Sequence, residues 1–154
     1  MKSMFLERGG AWVVGQAGLM LGVVGLSLFF HAGFRSLLVF ALGAGCMVAG
    51  AAFGIAGALA LGRNLTPFPK PLPQARLVRQ GIFARIRHPL YTSVVFASIG
   101  WALVWHSWPA LLAALVLVPF FGAKARHEER RLCERFPEYA DYIRDTRRFI
   151  PWVY

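Results

Sequence analysis

Three groups of side chains in this sequence have the types and spacing to do chemistry. The first is Arg85-Ile86-Arg87-His88-Pro89-Leu90-Tyr91, cations and an aromatic set directly before an apolar run. The second is Glu128-Glu129, adjacent carboxylates in a charged segment, and the third is Tyr139 and Tyr142 followed by Arg147-Arg148. Brought together, the carboxylates would take an ammonium and the cations or helix-terminal N–H groups a carboxylate. Phe83, Tyr91, Tyr139 and Tyr142 would wall a flat base. Such a set suits a ligand that is zwitterionic at one end and flat at the other. Taken singly, each group has a plainer reading. Cations beside a membrane helix set topology or bind lipid phosphate, and consecutive glutamates usually form a solvated, ion-paired face. What separates the two readings is whether the chain brings the groups to one place.

Composition says what kind of chain must do so. Of the 154 residues, 57% are hydrophobic and only 16% charged, with the charges segregated into a few stretches. That is the composition of an integral membrane protein. In a soluble protein the net charge of +10 would point to nucleic acid; here its placement fits membrane topology instead, and no nucleic-acid partner is expected. The length is that of a single domain, 1–154, without a separate soluble catalytic part. Cys46 lies in an apolar segment and Cys133 in a charged one, so neither a disulfide between them nor a metal site is expected.

Four apolar segments follow one another. Ala11–Phe30 is long enough to cross a hydrocarbon core of about 30 Å and has no small-x-small cleavage site after it, so it reads as a retained span. Leu37–Leu61 is the second. Both carry glycine stripes, Gly15, Gly18, Gly22 and Gly25 in one and Gly43, Gly50, Gly54 and Gly57 in the other. Lipid gives helices no hydrophobic reason to associate, so close contact along such stripes predicts that these two helices pack on each other, with a homodimer face as the weaker use. Gly62–Pro89 is a connector whose four prolines between Pro67 and Pro73 exclude helix and favour an extended path. Leu90–Trp105 and Trp108–Ala123 are short, separated only by His106-Ser107, and predict a tight helical hairpin anchored by Trp101, Trp105 and Trp108. Pro89 and Pro109 suit first helical turns, Pro119 should bend the fourth helix, and His106 reads as a turn residue. From Lys124 to Tyr154 the chain reads as a tail outside the membrane. An amphipathic helix with i,i+4 pairs Lys124–Glu128 and Arg130–Glu134 opens it, and a short helix after Pro137 and a broken Arg147–Trp152 end follow.

Four spans put both termini and the connector on one side, and of the 17 Lys and Arg only Arg35 lies on the other. That asymmetry makes the charged side cytoplasmic. It also puts Arg87-His88 and Glu128-Glu129 at the same membrane face, joined by one hairpin. The expected architecture is an all-α integral membrane protein with four transmembrane helices and a cytoplasmic C-terminal amphipathic helix.

S-adenosylmethionine has the ammonium, carboxylate and base that the three groups could hold. The ordered set Arg87-His88-Pro89-Leu90-Tyr91, Glu128-Glu129, Phe136…Tyr139-x-x-Tyr142 and Arg148-Phe149-Ile150-Pro151 resembles the isoprenylcysteine carboxyl methyltransferase and phospholipid methyltransferase group of membrane enzymes. So does the upstream Gly62…Leu65-Thr66-Pro67…Leu77-Val78-x-x-Gly81. The chain departs from that group at Phe136-Pro137, where Phe-Gly is common, and at Ile82-Phe83, where Pro-Tyr is frequent. The resemblance spans 62–151 and implies an S-adenosylmethionine-dependent methyltransferase without a Rossmann domain, and no G-x-G-x-x-G occurs in the chain. It places Gly81, His88, Pro89, Tyr91, Glu128 and Glu129 at the cofactor, with Tyr139 and Tyr142 closing the pocket. A carboxylate acceptor would need a cation, for which Arg87 and Arg148 are the candidates; an amine or thiol would need a proton acceptor, for which Glu129 is. The acceptor is expected to be lipophilic, a lipid or a small hydrophobic molecule. Two further readings are a sterol-reductase-like, NADPH-dependent oxidoreductase, favoured by the Arg-Phe-Ile-Pro-Trp-Val-Tyr tail, and a non-enzymatic lipid-binding subunit.

Overall fold

The computed structural model describes residues 7–33, 36–70, 74 and 76–150. Its helices are α1 (Gly10–Phe29), α2 (Leu37–Leu61), α3 (Pro89–Val104), α4 (Trp108–Arg135) and α5 (Tyr139–Asp145), with 3-10 turns at Gly62–Asn64 and Gly81–Ala84. Among the described residues no strand forms, and Ile86 pairs with Arg147 in a single parallel bridge. Arg35, Pro151 and Trp152, which the sequence reading used, lie outside the described residues.

Local chemistry sets the helix ends. Ser36 and Ser107 cap α2 and α4, their hydroxyls accepting from Val39 N–H and Ala110 N–H at 3.4 Å each. Pro89 opens α3, where its missing N–H costs nothing. Gly62 ends α2 with φ of 48°, a conformation that side chains with a Cβ resist. Three segments, Gly10–Phe29, Leu37–Asn64 and Trp108–Arg135, are long and apolar enough to cross a membrane; Pro89–Val104 is apolar but shorter. Their outward leucines are bare in the isolated chain, Leu21 and Leu59 among them, as lipid-facing residues would be.

The glycine stripes do not pair as expected. On α2 they receive α3: a Cβ on Gly43 would lie 2.8 Å from Gly100 O, and one on Gly50 2.9 Å from Ser93 O. The α2 stripe is therefore spent on its sequence neighbour in space, and α1 packs instead on α4, Gly15 against Phe120. Gly18, Gly22 and Gly25 would meet nothing within 4 Å if given a Cβ. Val23, Ala102, Ala110, Ala114, Leu117 and Phe121 form the core where α1, α3 and α4 meet. A Cβ at Gly100 would sit 2.6 Å from Gly43 O and 2.8 Å from Met47 N, backbone atoms that cannot step aside. Gly100→Val is thus expected to cost about 3 kcal/mol or more, whereas Gly18→Val should stay within about 0.5 kcal/mol. Thermal unfolding of the two variants in detergent checks the contrast.

A second difference concerns the boundary at Ala123/Lys124. The fourth apolar segment and the amphipathic segment are one continuous helix of 28 residues, about 42 Å long at 1.5 Å per residue. The Lys124–Glu134 stretch is rich in helix formers, so nothing in it stops propagation out of the apolar part. Lys124 does not pair with Glu128; its ammonium turns inward to Gln16 and Pro67. At the far end of the hairpin His106 takes a left-handed turn (φ 50°). Its ring nitrogens lie 3.2 Å from Val104 O and 3.3 Å from Ser36 O.

Candidate active site

The site begins with two short backbone segments lying side by side. Arg87 N–H donates to Arg147 O at 2.9 Å, His88 N–H to Arg148 O at 3.1 Å, and Arg147 N–H to Arg85 O at 3.0 Å. This pairing carries the chain from α5 back to the start of α3 and delivers Arg148 beside His88. The extended rod of α4 supplies the carboxylates opposite.

Glu129 is the centre of the charge network. It is 6% exposed, and a carboxylate so buried needs cations or donors on both oxygens. Arg87 Nε donates to its Oε1 at 2.9 Å, and His88 Nε2 lies 3.1 Å from the same oxygen. Arg148 closes the second side, Nη2 to Oε2 at 2.7 Å and Nε to Oε1 at 3.2 Å. Arg87 Nη1 also donates to Ile143 O at 3.1 Å and to Thr146 O and Oγ1. One carboxylate thereby fastens the entry to α3, the end of α4, α5 and the segment after it. Glu128, one residue earlier and about 100° round the helix, points elsewhere. It accepts from Tyr91 OH at 2.5 Å and lies 3.8 Å from His88 Nδ1, with a quarter of its side chain exposed.

Beside Glu128 opens a partly open cleft whose internal volume is about 120 Å³. Arg87, His88, Pro89, Tyr91 and Glu128 line it together with Phe83, Tyr139, Tyr142, Phe136, Leu77 and Val78. His88 stacks on Tyr91 at 5.1 Å with rings 3° apart, and Tyr139 meets Tyr142 edge to face at 5.4 Å. Tyr142 OH donates to Phe83 O at 2.6 Å, fixing the 3-10 turn that carries Phe83. Gly81 opens that turn with φ of 63°, which is why a glycine stands there.

Burial raises the Tyr142 phenol to about 12, against the opposing pull of Arg87 and Arg79. Burial also raises Tyr139 strongly, and Glu129 and Glu128 push the same way. Both therefore remain neutral donors at physiological pH. An unfolded tyrosine ionises near 10, so between about pH 10 and 12 the unfolded chain loses protons that the folded one keeps, and stability falls. The contribution of Tyr142 is fully present below pH 10 and worth about 2–3 kcal/mol. Tyr142→Phe is expected to flatten this alkaline decline as well as to lose the Phe83 contact, read from unfolding midpoints across pH 8–12.

The structure brings Arg87, His88, Pro89, Tyr91, Glu128, Tyr139 and Tyr142 to the cleft wall. Glu129 and Arg148 stand behind that wall, bonded to each other, and Gly81 shapes it through the backbone. Sequence reasoning passed over Asn64, whose amide donates to Arg76 O at 3.0 Å and accepts from Arg76 N–H at 3.4 Å, tying the start of the connector to its middle at the cleft. A lone asparagine in a proline-rich loop carries no signal of that. Leu132 also lines the cleft, and its place one helical turn beyond Glu128 could have found it. Among the described residues no cluster of His, Cys, Asp or Glu could hold a metal.

A helical membrane fold, with a cleft of aromatic, apolar and charged side chains at one end of its hairpin, defines the class. Its architecture matches the solved eukaryotic intramembrane Ras methyltransferase (isoprenylcysteine carboxyl methyltransferase) with a TM-score of 0.68 at 20% identity, over 94% of this chain and 53% of that one. Residues 38–138 match the phospholipid methyltransferase family, to which this chain belongs. It is 34% identical over 76 residues to the cobalt-zinc-cadmium resistance protein CzcN of Cupriavidus metallidurans, 49% of this chain and 35% of that protein. The nickel-cobalt-cadmium resistance protein NccN of Alcaligenes xylosoxydans xylosoxydans matches at the same identity and span, 36% of its length. The chain thus spans about a third of the curated relatives it matches.

Proposed function

We propose that this protein is an S-adenosylmethionine-dependent methyltransferase acting in the membrane on a lipophilic acceptor bearing a carboxylate, amine or thiol. The observation that carries the reading is the cleft itself. It gathers the half-buried Glu128 carboxylate, the Arg87 guanidinium and the His88 ring in one cleft with the Phe83, Tyr139 and Tyr142 rings. An amino acid joined to a flat base fits that combination of charge and ring. In this reading residues 1–154 form one methyltransferase domain with four spans, α3 included, and both termini are cytoplasmic.

When bound, S-adenosylmethionine supplies a methyl group already activated on a sulfonium. The work left to the chain is positioning and exclusion of water. Glu128 holds the ammonium, and Arg87, fixed by Glu129 and the Thr146 carbonyl, faces the carboxylate. Tyr139 and Tyr142 close over the base. Because both oxygens of Glu129 are occupied by Arg87, His88 and Arg148, Glu129 holds those side chains in place rather than accepting a proton. The acceptor reaches this point along a second, apolar cleft between α3 and α4, lined by Val95, Phe96, Val118 and Phe121. Phe121 stacks on Tyr91 at 4.7 Å, so one ring pair separates the two clefts. The test is transfer of a radiolabelled methyl group from S-adenosylmethionine to membrane extract by the purified protein. Label in an organic-soluble product supports the reading; no transfer together with no binding of S-adenosylmethionine sinks it.

A further inference from the structure

Lys124 is 1% exposed, among the most completely buried large side chains in the molecule, and the chemistry proposed above leaves it without a task. A buried ammonium is costly unless its donors are matched, and the partners it has are informative because each belongs to a different element. Its Nζ donates to Gln16 Oε1 of α1 at 2.7 Å and to Pro67 O of the connector at 3.2 Å, and it stands 5.0 Å from the centre of the Tyr91 ring of α3. Two donors go to oxygens and the third direction faces an aromatic, which uses the charge of a lysine fully.

The connector segment it holds, Leu65–Lys70, is a wall of the cleft through Thr66 and Phe68. The same segment is seated twice more by the start of α1. Pro69 is fully buried against Gly9, where a Cβ would come within 2.5 Å of the proline ring, and the Arg8 guanidinium lies 4.4 Å from the centre of the Phe68 ring. Loop backbone normally runs exposed and mobile. Here it is seated from below by a charged bond, a glycine notch and a cation–ring contact.

We infer that Lys124 is a positioning residue that latches the 65–70 strap onto α1 and Tyr91, and that this latch sets the shape of the proposed S-adenosylmethionine cleft. The consequence for binding rests on the proposed function; the latch itself does not. The apolar neighbours offer nothing to replace it, so a methionine of similar length fills the space but leaves Gln16 Oε1 and Pro67 O without their donor. Arginine keeps charge and donors and should restore part of the effect.

Full-length protein in detergent, wild type, Lys124→Met and Lys124→Arg, decides the matter by amide hydrogen exchange at 65–70 and by titration with S-adenosylmethionine. Lys124→Met is expected to speed exchange at Leu65, Thr66, Phe68 and Lys70 and to weaken binding about tenfold, with Lys124→Arg between it and wild type. Should Lys124→Met fail to fold, Gln16→Leu removes one partner only and should raise exchange at the same amides to a smaller degree. Unchanged exchange in either folded variant overturns the latch. Faster exchange with wild-type affinity overturns its role in shaping the cleft. Wild-type protein that does not bind S-adenosylmethionine refutes the proposed function, while exchange at 65–70 still decides the latch.

Discussion

Glu129→Ala is expected to give a protein that folds poorly and transfers no methyl group. The substitution removes the anion from the midst of Arg87, His88 and Arg148 and leaves two guanidinium groups crowded beside the His88 ring in a largely buried space. Breaking a buried ion pair from one side costs about 3–5 kcal/mol, because the unmatched charge stays behind. The loss should show as a lowered unfolding midpoint and as release of α5 and the residue after it, since the Ile143 and Thr146 carbonyls are held by the same Arg87. Glu129→Gln keeps the volume and one acceptor and should fall between. If Glu129→Ala unfolds at the wild-type temperature, the carboxylate is no hub.

Its neighbour should behave in the opposite way. Glu128→Gln is expected to leave the unfolding midpoint nearly unchanged, since its Tyr91 contact survives on an amide oxygen. It should, however, weaken S-adenosylmethionine binding about 10–100-fold, the worth of a hydrogen bond to a charged group. Isothermal titration of the purified variant reads this directly, and wild-type affinity would remove Glu128 from the ammonium site. Two adjacent glutamates with opposite signatures, one in stability and one in binding, distinguish this geometry from a generally acidic surface.

How much of this was legible in the sequence differs by element. Helix positions follow from apolar runs, serine caps and prolines, which act locally, so Pro89 and Ser107 mark the starts of α3 and α4. The gathering of Arg87-His88 with Glu128-Glu129 followed from counting spans. Helix partners did not follow, because a glycine stripe states that a helix can be approached closely but not by which neighbour. Gly43 and Gly50 met α3 rather than α1 for that reason. The division of labour between Glu128 and Glu129 was equally hidden. It depends on the rotation of α4 about its axis, which is set by its packing on α1 and α3 along its whole length. The i,i+4 spacing of Lys124 to Glu128 predicts a pair whether or not the side chain turns inward, and here it turns inward to Gln16 and Pro67.

The bridge between Ile86 and Arg147 also fixes an order of events. It joins points some sixty residues apart, with the whole α3–α4 hairpin between them, and such closure is entropically late. Until Arg147 and Arg148 dock, Glu129 lacks its Arg148 partner and Arg87 lacks the carbonyls at 143 and 146. Assembly in the bilayer therefore reaches a stage in which the helices are inserted while the charged site is still unmade.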